Sequence, residues 1–321
     1  MKAAIIRARD GVPEYGSFAE PILGEGHELV SLVAAGIHPI VRALASGRHY
    51  GSAGVWPLIP GLDAVARTAD GDLIYTGNIA RPYGTLAERM AVPQGVRISL
   101  PPEADPVQIA GGVNPGLASW LTLNARKREI GLLGSVLILG VTGMAGSLAA
   151  QNARVLGATR IVGAGRNAAA LERIAKADAK TVSLIGDPEA DADALHRALG
   201  ETAPSIVLDF LWAGAAEAAF RALGRHGLDE DRANISYVEI GAMAGPDAAV
   251  PASLLRSRHI RISGSGAGSA SIADVVAQIP IYMQLIADHK IDVPTQPFTL
   301  SSIADAWAAS ESSGRRAVVV P

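Results

Sequence analysis

The chain has 321 residues, more than one hydrophobic core usually organises, which points to two domains. Hydrophobic residues make up 49% and charged residues 18%, with a formal net charge of −3, so neither disorder nor electrostatic attraction to nucleic acid or an anionic membrane is expected. Cysteine is absent, which excludes disulfides, thiolate nucleophiles and cysteine-ligated zinc. The N-terminus sets Lys2, Arg7 and Arg9 around a short apolar strand instead of a signal-peptide core, and no apolar run is long enough to span a bilayer. The expectation is a cytoplasmic protein with small-molecule ligands and no nucleic-acid or membrane partner.

The first hundred residues alternate short apolar runs with turn residues. Ala3 to Arg7, Glu28 to Ala34, Ala64 to Thr68, Leu73 to Thr76 and Ala87 to Val92 are predicted strands of a small antiparallel module, ended by the paired prolines at Pro101 and Pro102. From Asp105 the pattern turns helical, and Leu117 to Ala125 is predicted as a helix leading into the next module. Six predicted strands follow: Val136 to Leu139, Ile161 to Ala164, Thr181 to Ile185, Ile206 to Phe210, Ile235 to Ile240 and Ile260 to Gly264. Helices Ala169 to Ala177, Asp191 to Leu199 and Ala213 to Leu223 fill crossovers, the pattern of a doubly wound parallel sheet. Beyond Ile279 to Ala287, the tail Pro297 to Val320 holds one short helix and a last strand that returns to the first module.

The chemistry concentrates where the first of the six strands meets its helix. Leu139 runs into Gly140-x-x-Gly143-x-x-Gly146, and an alanine-rich helix follows. Such glycines let the backbone turn tightly, and the helix N-terminus then offers free N–H groups to a pyrophosphate. Gly140, Thr142, Gly143, Met144, Ala145 and Gly146 are therefore the predicted phosphate cradle. The second strand ends in Gly165-Arg166-Asn167, a cation where an NAD-type unit carries a carboxylate, so the expected coenzyme is NADP(H), with Arg166 on its 2′-phosphate. Ile240-Gly241-Ala242 and Ser265-Gly266 end the fifth and sixth strands, at the edge where an open parallel sheet binds its ligand.

Motifs along the chain resemble those of the medium-chain dehydrogenase/reductases, and most those of their zinc-independent quinone oxidoreductase and enoyl reductase branch. They are Met1-Lys-Ala-Ala-Ile, Ala34-Ala-Gly-Ile-His-Pro39, Pro57-Leu-Ile-Pro-Gly-Leu-Asp63, Gly84-Thr-Leu-Ala-Glu88, Pro115-Gly-Leu-Ala-Ser-Trp120, Leu254-Leu-Arg-Ser-Arg258 and Gly314-Arg-Arg-Ala-Val-Val319, together with the glycine turn. The resemblance implies a GroES-like, mostly-β catalytic domain over 1–116 and 287–321, a Rossmann NADP(H)-binding domain over 117–286, and an active-site cleft at their junction. It places the nicotinamide near residues 240–242 and 265–266. Arg315 or Arg316 of the tail then approaches the coenzyme, unless both are solvated charges.

Zinc-dependent relatives place metal ligands at positions held here by His38, Leu62 and Asn114, with an acidic residue matched by Asp63. Leu62 cannot ligate, and the set falls short of three good donors, so no catalytic metal is expected. The quinone reductase branch usually carries asparagine where His38 stands and a tyrosine matching His49, with Tyr50 one residue later. The segment between Asp63 and Gly84 is also shorter than in most relatives.

Hydride transfer requires orientation and stabilisation of charge on the acceptor. His38, His49, Tyr50, Asp63 and Asn114 are the candidate catalytic residues, a histidine or phenol being able to donate a hydrogen bond and later a proton. Against this stand plainer roles: His38 as a structural residue, His49 and Tyr50 in a surface loop, Asn114 as a helix cap and Asp63 in a structural pair. The expected function is NADPH-dependent reduction of a quinone, enone or related conjugated carbonyl by a homodimer. The alternatives are a zinc-type alcohol dehydrogenase and a non-catalytic NADPH-binding sensor. No Gly-x-Ser-x-Gly elbow or His-Glu-x-x-His motif supports a hydrolase.

Overall fold

The computed structural model describes every residue except Asn78, 225–228, Ala267, Ala270 and Ser313. Internal contacts divide the chain into two units, one of Met1–Pro115 with Val276–Pro321 and one of Gly116–Val275.

The first unit is mostly β. Strand His27–Gly36 is its hub: Asp63–Arg67 and Arg89–Pro93 both pair with it antiparallel, and so does Arg316–Val320 from the other end of the chain. The returning tail thus joins the sheet through Val318 opposite Gly36 and Val319 opposite Ala35, and Thr295–Thr299 lies parallel beside it. Alternation along His27–Gly36 turns Val30 and Leu32 inward, onto Ile5, Ile59, Ile74, Leu86 and Trp307 in one apolar core. The strands Ile98–Ser99 and Thr295–Thr299 are not among those predicted, and two further elements also carry too weak a pattern to be read from the sequence. One is the strand Glu14–Ser17, exposed along most of its length, which pairs with Lys2–Ile5. The other is the seven-residue helix Pro39–Ala45, which proline opens at its first turn.

The second unit is a six-stranded, all-parallel sheet. Its order is Lys180–Ser183, Arg160–Gly165, Ser135–Leu139, Ile206–Asp209, Ile235–Glu239 and Ile260–Gly264, the doubly wound arrangement expected from the alternating pattern. Ser135–Leu139 is buried at every position, as a central strand covered on both faces must be. The winding reverses between this strand and Ile206–Asp209, and in such sheets the ligand crevice opens beyond the carboxyl ends of those two strands.

The helix leading into the second unit is longer than predicted. It runs over Pro106–Ile130 with Pro115 inside it, not only over 117–125. Proline lacks the N–H that an interior position needs, and at the sequence level that reads as a start instead of a continuation. Two glycines let the first half of this helix lie against the returning tail: a Cβ at Gly112 would stand 2.5 Å from Val293 Cγ2 and one at Gly111 2.7 Å from Thr295 Cγ2. Among the described residues no helix is long and apolar enough to cross a membrane.

Candidate active site

Within the first unit, three of the five residues predicted to be catalytic come together around Asp63. This carboxylate opens the strand Asp63–Arg67 and is buried. Its Oδ1 accepts a hydrogen bond from Asn114 Nδ2 at 3.2 Å, and its Oδ2 accepts one from the Tyr75 hydroxyl at 2.7 Å. His38 is 1% exposed and sets Nε2 3.7 Å from the same Oδ2, beyond hydrogen-bond length. Neither ring nitrogen of His38 has a hydrogen-bond partner among the described residues. Burial holds this imidazole below its usual pKa, and the Asp63 carboxylate pulls the other way. His38 is therefore a neutral, desolvated ring with unused polar atoms, which is costly unless something completes it.

Local chain geometry brings the ring there. Strand His27–Gly36 ends at Gly36, where a Cβ would lie 2.5 Å from Ala110 O and 2.6 Å from His38 Cε1. Only glycine leaves room for the imidazole to fold back. His38 then precedes the helix Pro39–Ala45 without capping it by its side chain. Arg316 closes this side: it is buried, not solvated, and its Nη1 donates to Ile37 O at 3.0 Å. Burial lowers its pKa to about 10, resisted by Asp63, so it stays a cation at neutral pH. Arg315 is exposed beside it.

His49 and Tyr50 form a separate pair. Their ring centroids lie 4.0 Å apart with the planes tilted by 32°, His49 Nδ1 accepts from Gly51 N at 3.0 Å, and Tyr50 is 83% exposed. Neither makes a hydrogen bond to the Asp63 group. Tyr75 is the member that sequence reading missed. Its signal was one of register: Gly77 lies opposite Asp63, so Tyr75, two residues back, is the diagonal neighbour on the same face.

No group of three or more histidine, cysteine, aspartate or glutamate side chains is placed to hold a metal among the described residues.

The second unit builds the glycine turn as expected. Gly140 has φ +86° and donates its amide to Ala164 O at 2.8 Å, and Gly143 is the N-cap of the helix Met144–Val155 and has no side chain with which to cap it. The first hydrogen bond of that helix runs from Ser147 N to Gly143 O, so the amides of Met144, Ala145 and Gly146 are those a helix N-terminus leaves for an anion. A Cβ at Gly146 would sit 2.2 Å from Gly140 O, and one at Gly165 would sit 2.7 Å from Thr142 Cγ2. Buried Asn152 anchors the helix from behind, donating to Gly116 O at 3.0 Å and to Ser119 Oγ at 2.8 Å.

Arg166 follows Gly165, the last residue of the second strand; it is exposed and forms no ion pair among the described residues. Asn167 caps the helix Ala168–Lys176, its side chain accepting from Ala170 N at 3.0 Å. At the far strands, Ile240 N and Gly241 N both donate to Asp209 O, at 2.7 and 3.2 Å. Ser265 N donates to Glu239 O, and Gly266 N donates to Ser269 Oγ at 2.7 Å.

Asp209 is a second residue that sequence reading missed, although a carboxylate closing an apolar strand was its visible signal. It is fully buried; Oδ1 accepts from Leu211 N at 2.8 Å and Trp212 N at 2.9 Å, and Oδ2 from the Tyr237 hydroxyl at 2.6 Å. Burial raises its pKa, opposed by these three donors. Trp212 adopts φ 60°, ψ −157°, a region essentially reserved for glycine and costing about 1–3 kcal/mol.

These features define a two-unit α/β fold, with a Rossmann-like parallel-sheet unit and a GroES-like, mostly-β unit carrying a buried polar group. The chain is 27% identical over 331 aligned positions, covering 91% of each protein, to a protein of Emericella nidulans named a probable NADPH-dependent quinone reductase. Two solved structures cover the whole chain and are themselves covered whole. A mycobacterial quinone oxidoreductase matches at TM-score 0.83 and 19% identity, and the quinone oxidoreductase of Thermus thermophilus, known also in complex with NADPH, at 0.80 and 22%. No family model matches the chain. The chain has the medium-chain dehydrogenase/reductase fold in the form that quinone oxidoreductases take, which bears out the resemblance read from its motifs.

Proposed function

We propose that this protein is an NADPH-dependent oxidoreductase that reduces a quinone, an enone or a related conjugated carbonyl without a catalytic metal. The observation that carries the reading is the pairing of an uncapped glycine turn with Arg166, an exposed guanidinium just beyond the second strand that is free of ion pairs among the described residues. The residues present suit a phosphorylated dinucleotide: side-chain-free backbone at Gly143, three leftover amides from Met144 to Gly146, and a cation where a carboxylate would repel a 2′-phosphate. The Emericella relative's name agrees with this coenzyme and substrate class.

Bound reduced nicotinamide supplies the hydride; the chain's part is to hold it, orient it and stabilise charge on the acceptor oxygen. For the last task we propose His38, whose buried ring nitrogens lack partners among the described residues, with Asp63 and Asn114 fixing its surroundings. Both oxygens of Asp63 already accept hydrogen bonds, from Asn114 and Tyr75, which favours the metal-free reading over a zinc-type alcohol dehydrogenase. His49 and Tyr50 are proposed as loop donors to the substrate, and Arg315 as a coenzyme contact. We further propose a cytoplasmic homodimer, supported by the strand Ile260–Gly264, which leaves one edge of the six-stranded sheet open.

Purified protein mixed with NADPH and a panel of quinones and enones tests the activity, read as loss of reduced-nicotinamide absorbance. Turnover with at least one acceptor, undiminished after chelator treatment, is expected. Coenzyme binding with no turnover on any acceptor would favour a sensor, and near-stoichiometric zinc required for activity would favour the alcohol dehydrogenase reading.

A further inference from the structure

We infer that Asp209 is a positioning residue for the coenzyme, tying the glycine turn to the 240–242 segment so that both hold one dinucleotide in register; this rests on the coenzyme reading above.

The links centre on Asp209 and the two residues that follow it. The main-chain oxygen of Asp209 accepts from Ile240 N and Gly241 N, fixing the segment beyond the fifth strand. Its carboxylate accepts from Leu211 N and Trp212 N and so folds the chain back at the end of the fourth strand. That fold sets Leu211 against the turn: a Cβ at Gly140 would lie 3.2 Å from Leu211 Cγ and Cδ2. The next turn is bound to the same strip, with Met243 N donating to Phe210 O at 3.3 Å and Ala244 N to Leu211 O at 2.7 Å. The glycine turn and Asp209 lie at the carboxyl ends of the two strands flanking the point where the winding reverses, and the 240–242 segment follows the adjacent strand.

The backbone shows that this arrangement is imposed. Trp212 and Ala213 both hold positive φ, 60° and 47°, although neither is glycine. Strain of this kind persists only where the surroundings over-determine it, and it gathers at ligand sites. Here the carboxylate holds the amides from one side, while the Trp212 ring stands edge-on to Phe220 and Tyr237, at 6.0 and 6.4 Å between centroids. Tyr237 completes the clamp by donating to Asp209 Oδ2. A helix could start beyond this strand with an ordinary cap and no strain, so stability alone does not account for the construction.

The test compares two ligands on three variants by calorimetry, well below each protein's melting temperature. On the coenzyme reading, NADPH would span the strip from the second strand to the 240–242 segment, whereas adenosine 2′-phosphate would reach only the Arg166 end. Asp209→Ala is expected to weaken NADPH binding about tenfold or more, the scale of losing hydrogen bonds to a charged group, and to leave adenosine 2′-phosphate within about twofold. Asp209→Asn keeps an oxygen for the two amides and should recover most of the loss. Tyr237→Phe removes one donor and should cost a few-fold; it serves as the readout if Asp209→Ala fails to fold. Equal weakening of both ligands, or no change in either, overturns the inference. A wild-type protein that bound neither ligand would instead overturn the coenzyme reading.

Discussion

Tyr75 donates its hydroxyl to Asp63 Oδ2 at 2.7 Å, a buried bond between diagonal neighbours on paired antiparallel strands. A carboxylate out of water is tolerable only when its lone pairs are occupied. Tyr75→Phe is expected to lower stability by about 1.5–3 kcal/mol, the range for a hydrogen bond to a charged group. A denaturant titration reads it as a lower midpoint at unchanged slope. An unchanged midpoint would mean that the bond contributes nothing to the fold.

His38 makes acid stability testable, with Asp63 and Arg316 as its charged neighbours. Its folded pKa lies below the 6.5 of a free histidine because burial disfavours the cation. The unfolded chain therefore binds a proton first as pH falls. The contribution of His38 is complete above pH 6.5 and is lost as pH descends through the folded pKa, at up to about 1.4 kcal/mol per pH unit. Stability curves of wild type and His38→Asn should converge over that interval; parallel curves would show that His38 is not the titrating group.

Gly146→Ala places a methyl 2.2 Å from the carbonyl oxygen of Gly140, a backbone atom that cannot swing aside. The expected cost is about 1–3 kcal/mol of stability, as for other overpacked sites, with NADPH binding lost as the turn opens. Gly157→Ala is the control for glycine loss: no atom lies within 4 Å of its added Cβ, although its φ of +84° adds strain. Retained NADPH affinity in Gly146→Ala would sink the close-approach argument.

Arg166 is proposed to recognise the 2′-phosphate, so its removal should discriminate between the two coenzymes. Arg166→Ala is expected to weaken NADPH by about tenfold and to leave NADH within about twofold. Because the guanidinium is exposed, the NADPH preference of the wild type should also shrink as salt is raised. Equal loss for both coenzymes would assign the arginine to the fold.

The strand-turn-helix proposed to hold the coenzyme was legible from local order alone. Strand, glycine turn and helix follow one another within Ser135–Val155, so apolar runs and glycine spacing suffice to locate them. The same holds for the central parallel strands, which are short apolar runs between turn residues, whereas the edge strands Lys180–Ser183 and Ile260–Gly264 are more polar. Pro115 misled for an equally local reason: a proline reads as a boundary, yet the helix Pro106–Ile130 continues through it, its glycines packed against Val293 and Thr295. That packing comes from a segment far along the chain and leaves no trace in the periodicity.

Which polar residues share an environment followed a different logic. Residue types at positions 38, 63 and 114 suggested donors and acceptors, but their meeting around one carboxylate depends on strand register and on a helix docking far along the chain, and Tyr75 enters only because Gly77 faces Asp63. Burial makes neutral His38 and paired Asp63 what they are, and it belongs to no single segment. Asp209 is the clearest case: in sequence it is one acid after three apolar residues, and in space its oxygens bind two loops whose amides come together only once parallel strands align. Patterns set by neighbouring side chains and backbone preference can be read along a chain, whereas desolvation and long-range hydrogen bonding come into being when distant segments pack.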